Sequence, residues 1–398
     1  MGMENRYDKY KDSGIAWIGE IPKHWGLVSI GKLFNVYAGG DAKPNYYSDI
    51  KDLEHPFPVY TNTRSEFEVY AYTSKAIFPA NTITVTGRGD VGHAIYRKTP
   101  YDAIIRLLSL IPRDNYDCKF YTYFIDIVIP FMDGKSAVAQ LSALQLKPQI
   151  VCFPPNKEQQ SIATYLDKKC GEIDELITLQ EEMITKLQSY KQSVITEAVT
   201  KGLNKNVPLK DSGIEWMGEI PDCWKVVKIK YLAKIKSGDS ISSNEIIQEG
   251  IYEVYGGNGL MGYCNKKNVD GFNIIIGRVG ALCGNVRLIS DSKYITDNAL
   301  ILNCFDNALY PYMYIMLKAA NLNNLNTSNA QPLITGSKVL NVSLPIPPLS
   351  EQQSIADYLD QKCSEIDELI SIKQQKIEKL KDYKKSLIFE CVTGKRKV

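Results

Sequence analysis

Histidine is scarce in this chain of 398 residues: His24, His55 and His93 are the full set, and none lies near another candidate metal ligand in sequence. Its nine cysteines are scattered singly, with no Cys-x-x-Cys pair. Zinc sites are built from such pairs and from His/Cys clusters, so the pattern points away from a metal centre. Three scattered histidines also nominate no Ser-His-Asp or Cys-His arrangement for nucleophilic catalysis. No run approaches the ~20 apolar residues a bilayer-spanning helix needs, and no amino-terminal apolar stretch follows a basic one. The reading is a protein of a reducing cytoplasm, without a membrane partner and with free thiols. Cys170 and Cys363 read as small core residues rather than redox groups.

An excess of charge is missing too. The 47 Lys and Arg against 45 Asp and Glu leave a formal +2, and a near-neutral chain does not by itself announce a nucleic-acid partner. The distribution is uneven: residues 225–346 hold 12 basic against 8 acidic side chains, net +4, and residues 26–153 hold 13 against 12, net +1. A hydrophobic fraction of 44% is enough for real cores, and the length allows two or three domains.

Recognisable chemistry is absent as well. A DNA-base methyltransferase carries an Asn/Asp-Pro-Pro-aromatic loop, whereas the Pro-Pro pairs here read FPPN and IPPL, each ahead of a helix signal. The phosphate-cradling G-x-x-x-x-G-K-S/T pattern does not occur. GRGDVG at 87–92 reads as a tight turn, with backbone approach to a phosphate as the alternative. The chain reads as non-catalytic.

What is present is repetition. KDSGIAWIGEIPKHW at 11–25 returns as KDSGIEWMGEIPDCW at 210–224, identical at 11 of 15 positions. PPNKEQQSIATYLDKKCGEIDELI at 154–177 returns as PPLSEQQSIADYLDQKCSEIDELI at 347–370, identical at 19 of 24. Between these blocks, residues 26–153 and 225–346 align only at scattered turns such as GRGDVG and GRVG at 277–280. Repeating a scaffold while varying what it carries suits a device that reads two different things.

Each Pro-Pro pair is followed by a helix-start signal, Asn156 with Gln159 and Ser350 with Gln353. Leu166, Ile173, Ile177, Ile184, Leu187, Val194 and Ala198 are spaced as a narrow apolar seam, and Leu359, Ile366, Ile370, Ile377, Leu380, Leu387 and Cys391 repeat that spacing. A seam this narrow needs a partner helix, and the other copy, running antiparallel, is the expected one; two separate surface helices are the alternative. The inserts read as strand and turn with one short helix each, near 119–132 and 309–320. Trp17, Trp25, Trp216 and Trp224 belong to the repeated frame, where packing is their expected role rather than base stacking. The expected fold class is α+β: two target-reading domains separated by a long antiparallel two-helix coiled coil, with a pseudo-twofold internal repeat. The expected segments are 1–153, a central helix over 154–206, 207–346, and a C-terminal helix over 347–398.

The pattern DSGIxWxGEIPxxW, a variable domain, PPxxEQQxIAxYLDxK and a long helix, all twice, resembles the specificity subunit of Type I restriction-modification systems. The resemblance spans nearly the whole chain. It implies two target recognition domains that each read one half of a split double-stranded DNA sequence, with the helices setting the gap. It implies two methyltransferase subunits docked on the frame and two restriction subunits joined to that core, in a bacterial or archaeal cytoplasm. No cofactor is expected in this chain; S-adenosylmethionine, ATP and Mg would belong to the partner subunits. Candidate DNA contacts are turn residues at comparable places in the two inserts: Asn62, Arg64 and Arg88 with Gly134, Ser136 and Gln140 in the first, and Asn258 and Arg278 with Thr327, Ser328 and Gln331 in the second. Arg pairs with guanine and Asn or Gln with adenine; the same residues also hold phosphates or cap turns. Two rivals stay open, a coiled-coil scaffold whose domains bind proteins or peptides, and an enzyme with unfamiliar catalytic residues.

Overall fold

The computed structural model of the chain describes residues 6–65, 67–131, 140–280, 282–325 and 332–398. It divides into two units, residues 1–180 with 375–398, and residues 181–374. The division falls inside two long helices, Asn156–Lys201 and Leu349–Val392, so each unit holds a stretch of both.

In the first unit the sheets of the insert are built mainly from β1 (Phe34–Ala38), β2 (Phe57–Tyr60), β3 (Ala71–Thr73), β4 (Thr82–Val85), β5 (Ala94–Arg97), β6 (Asp102–Ala103) and β7 (Leu108–Pro112). They form an antiparallel sheet in the order β1-β7-β4-β5 and a smaller sheet β6-β2-β3, to which Tyr47–Ser48 adds an edge and in which β6 runs parallel to β2. The second insert supplies β8 (Ala233–Ser237), β9 (Tyr252–Gly256), β10 (Gly259–Cys264), β11 (Asn273–Gly277), β12 (Val286–Ile289), β13 (Tyr294–Ile295) and β14 (Ala299–Cys304). Their orders are β8-β14-β11-β12 and β10-β9-β13, with β13 parallel to β9. Apart from the Tyr47–Ser48 edge, the two inserts share one strand order despite their dissimilar sequences.

Each large sheet is covered by one short helix, Cys118–Val128 or Tyr310–Ala319. Asp117 starts the first by accepting the Phe120 N–H at 3.0 Å, the N-cap bond that satisfies an otherwise orphaned donor. Phe120, Tyr121, Phe124 and Ile125 on that helix pack with Ile83, Val85, Leu108 and Leu110; in the second unit Tyr312, Met313, Met316 and Leu317 pack with Ile274, Ile276, Leu300 and Leu302. These positions alternate along the strands and recur at helical spacing, which is what turns a sequence into one apolar face on each element.

Every residue of the two apolar seams is buried or half-buried. In the first unit, residues 156–180 lie antiparallel to 375–392: Leu166 and Cys170 share a core with Leu387 and Cys391, and Lys384 pairs with Asp174 at 2.7 Å. In the second, Met183 receives Lys373 at 3.2 Å and Lys191 pairs with Asp367 at 2.6 Å, again antiparallel. All nine cysteines are free, and burial pushes the Cys170 thiol up to about 11 and Cys391 to about 12, as befits core residues.

The helix starts differ from the sequence expectation. The helices begin at Asn156 and Leu349, and the described bonds include no capping box at either start; Gln159 Nε2 instead donates to Asn156 Oδ1 at 3.2 Å, and its backbone N–H goes to the Pro155 carbonyl. Gln159, fully buried, donates to the Pro154 carbonyl at 2.9 Å and accepts the Asp117 N–H at 3.1 Å. Its structural counterpart is Gln352, which donates to the Pro347 carbonyl at 2.8 Å, while Gln353 bonds Asp357 on the surface. A buried proline carbonyl needs a donor, and that need outranks a cap available from water.

Candidate nucleic-acid interface

The frame places the inserts. Trp25 and Trp224 are fully buried, and each donates its indole N–H to the Glu of EQQ in its own unit, Glu158 at 3.0 Å and Glu351 at 2.9 Å. Glu158 also accepts from Tyr7 at 2.9 Å and contacts His24 at 2.8 Å. Burial pushes its carboxyl up, but the Trp25, His24 and Tyr7 bonds together hold it below the ordinary carboxylate value.

Arg88 stands exposed on the turn between β4 and β5, and among the described residues its guanidinium has no hydrogen-bond or ion-pair partner. The turn is held from behind. Asn62 Oδ1 accepts the N–H groups of Gly87 at 2.8 Å and Arg88 at 3.2 Å, while Asn62 Nδ2 donates to the Ile105 carbonyl at 2.7 Å. Both oxygen lone pairs of Asn62 are occupied, and one N–H has no partner among the described residues. Gln140, exposed, bridges to Arg88 through the backbone. Arg64 is exposed as well, but its guanidinium meets Asp90 of the same turn through both Nε and Nη2.

Behind Arg64 sits His93. Its Nδ1 lies 2.5 Å from Asp126 Oδ1 and its Nε2 lies 3.0 Å from the Arg64 carbonyl. The Asp126 bond raises the imidazole above its ordinary value, against the opposing effect of burial. This network, linking the short helix to two loops, was not found from sequence; a histidine 33 positions from its partner leaves no local signal.

In the second unit Arg278 follows β11 at the equivalent turn. Its N–H is held by the Asn298 carbonyl at 3.0 Å and its carbonyl accepts the Ile334 N–H at 2.9 Å. The guanidinium reaches Ser237 Oγ and the Asp297 carbonyl only at 3.4 and 3.5 Å, and Nε is buried without a partner among the described residues. Gly277 is required just before it: a Cβ there would lie 2.4 Å from the Gly257 carbonyl oxygen. Asn258 is exposed on the β9–β10 hairpin, where its carbonyl accepts from Arg287 Nη2 at 2.9 Å; Arg287 was also missed in the sequence. The structure thus brings Asn62, Arg64, Arg88 and Gln140 to one end of the first insert, and Arg278 to the matching turn of the second. Gly134, Ser136, Thr327, Ser328 and Gln331 lie outside the described residues.

Among the described residues no group of His, Cys, Asp or Glu side chains could hold a metal ion, and no helix is long and apolar enough to cross a membrane.

The family model of the Type I restriction modification DNA specificity domain matches the chain twice, over residues 22–188 and 221–382. The type I restriction enzyme EcoprrI specificity subunit of Escherichia coli is 22% identical over 84% of this chain and 86% of its own length. The putative MjaX specificity subunit of Methanocaldococcus jannaschii is 30% identical, covering 96% of each chain. Among solved structures, a chain from work on complex assembly and conformational transition of the type I R-M system has a TM-score of 0.73 at 14% identity, covering 94% of this chain and 98% of that one. The HsdS subunit from Thermoanaerobacter tengcongensis has a TM-score of 0.50 at 16% identity, with the same coverage. The chain therefore belongs to the Type I restriction-modification DNA specificity family. Within it, the chain is a specificity subunit, a non-catalytic component for DNA target recognition, with two specificity domains of α+β content and two long helices.

Proposed function

We propose that each insert reads one half of a bipartite duplex target, and that the long helices form one antiparallel coiled coil whose length sets the gap between the halves. In this reading the chain has a pseudo-twofold repeat, with recognition domains at 1–153 and 207–346 and helical segments at 154–206 and 347–398. The frame docks two methyltransferase subunits and two restriction subunits in the cytoplasm of a bacterium or archaeon. S-adenosylmethionine, ATP and Mg serve those partners, and this chain holds no cofactor.

One observation carries the reading: two inserts of dissimilar sequence present an exposed or half-exposed arginine, Arg88 and Arg278, at the same turn of the same topology. A guanidinium free of carboxylates offers the bidentate donor fork that guanine O6 and N7 accept. Gln140, beside Arg88, and Asn258 are the accompanying amides, together with Gly134, Ser136, Thr327, Ser328 and Gln331. Asn62 acts mainly as the brace of the Arg88 turn, and Arg64 as its neighbour through Asp90.

The test is a pair of single variants assayed, with methyltransferase subunits present, on a library of split duplexes. Arg88→Ala should relax one base position in one half-site, and Arg278→Ala one in the other half, each by ~1–3 kcal/mol of discrimination. Uniform weakening across all sequences would make the residue a phosphate contact, and no change would make it a turn residue. Mapping methylated adenines in a genome carrying the gene and its neighbours supplies the target.

A further inference from the structure

Ten lysines lie between residues 225 and 346. Five have polar partners: Lys266 with Glu245 at 2.6 Å, Lys267 with Asp270 at 2.8 Å, Lys293 with Glu253 at 2.6 Å, Lys318 with the Tyr314 hydroxyl at 3.4 Å, and Lys338 with the Leu325 carbonyl at 3.1 Å. The other five are consecutive: Lys225, Lys228, Lys230, Lys234 and Lys236. All five are exposed, and among the described residues none makes a hydrogen bond or ion pair through its ammonium group; Lys230 lies 5.0 Å from the Tyr231 ring centroid. No Asp or Glu occurs from 225 to 238.

We propose that these five lysines form a phosphate-binding edge on the second unit that grips the backbone of the duplex this unit reads. The proposal rests on the DNA-recognition reading above and names where the sequence-independent part of that binding resides.

The placement supports it. Lys225 and Lys228 lie on the strand Lys225–Lys228, which among the described residues pairs only with Ser343–Ile346. Lys234 and Lys236 alternate along β8 with Ala233 and Ile235, which pack into the core, so both lysines point away from it. β8 is the edge of its sheet, and its last residue, Ser237, is the one Arg278 Nη1 approaches at 3.4 Å. The lysine run therefore ends at the turn carrying the reading arginine.

Lysines on an edge strand also discourage strand pairing between molecules. That purpose does not account for them here. β1 occupies the same edge in the first unit with the sequence FNVYA, and the whole corresponding stretch 26–38 contains one lysine, Lys32. A lysine ammonium is a hydrated point charge with no directional demand, suited to phosphates that position a duplex without specifying its sequence.

The experiment measures affinity of the full chain, assembled with its methyltransferase subunits, for its target duplex over a range of salt concentrations. Each phosphate contact contributes ~0.9 to the slope of log K against log salt. The triple variant Lys230→Gln, Lys234→Gln, Lys236→Gln should lower that slope by about 2–3 and weaken target and non-target duplexes by the same factor, leaving base preference intact. The corresponding triple Lys→Arg variant, which keeps the charge, should keep the slope. An unchanged slope in the glutamine variant, with unchanged melting and assembly, overturns the proposal, as does loss of assembly with the methyltransferase subunits, which would make the edge a protein-docking surface. If the unaltered complex itself binds DNA without salt dependence, the DNA reading fails rather than this inference alone.

Discussion

Trp25 donates its indole N–H to the carboxylate of Glu158 at 3.0 Å, tying the repeated GEIPxxW block to the first turn of the long helix. Trp224 and Glu351 do the same at 2.9 Å in the second unit. Removing the acceptor strands a fully buried donor. Glu351→Ala should therefore cost about 1–3 kcal/mol, and Glu158→Ala more, because Tyr7 and His24 lose their partner as well. Hydrogen exchange resolved along the chain checks both values; equal and negligible losses would mean that packing alone holds the tryptophans.

His93 should make the first unit sensitive to pH. Both of its ring nitrogens face acceptors, an Asp126 carboxyl oxygen and the Arg64 carbonyl, so the geometry suits the doubly protonated ring. Because its folded value lies above the ordinary 6.5, its stabilising contribution is complete below that value and is lost as pH rises through the raised one. Protection of residues 61–65 against hydrogen exchange, corrected for the intrinsic rate, should fall over that window. His93→Gln should remove the transition, and an identical transition in that variant would assign it to another group.

Glycines 394 and 171 should respond to alanine with opposite signs. Gly394 ends the second long helix at a φ of +73°, and a Cβ there would lie 2.3 Å from Pro22 Cδ and 3.0 Å from the Trp25 ring. Gly394→Ala should destabilise by more than ~1 kcal/mol. Gly171, exposed within the first long helix, has nothing within 4 Å of its missing Cβ. Gly171→Ala should stabilise by ~0.5–1 kcal/mol. Thermal melting of the two variants decides both signs.

Lengthening both helices should move the half-sites apart without changing either. Four residues added after Glu182 and four after Gln375, equivalent positions of the repeat, add ~6 Å and roughly 40° beyond a full turn to each helix. DNA advances ~3.4 Å and turns roughly 34° per base pair. Rotation asks for one added base pair and length for nearly two; one is expected, because a reader out of phase faces the wrong side of the duplex while a small axial excess is absorbed by bending. Binding to duplexes whose gaps differ by single base pairs tests it, and an unchanged preference in a folded variant would remove the helices from the role of ruler.

Sequence alone determined the repeated frame, because the two blocks and the apolar seams appear twice and are read by comparing one copy with the other, whereas the Trp25–Glu158 bond and the buried role of Gln159 join residues far apart in the chain. It also determined the short insert helices to within a few residues, from their apolar spacing. Only the tertiary structure decided that the two inserts share a strand order, since β7 pairs with β1, and β14 with β8, across separations of the chain that leave no local trace. It likewise decided which candidates are engaged by the protein itself. Asn62 and Arg88 look equally available in the sequence, yet the fold occupies both lone pairs of the Asn62 oxygen with backbone 25 and 26 residues away and leaves the Arg88 guanidinium outside. The lysines of 225–236 are plain in the sequence, but that they, among the lysines of this insert, have no polar partner among the described residues follows from where Glu245, Glu253 and Asp270 come to lie. Partnership is a property of distance in space, which a linear order of residues does not contain.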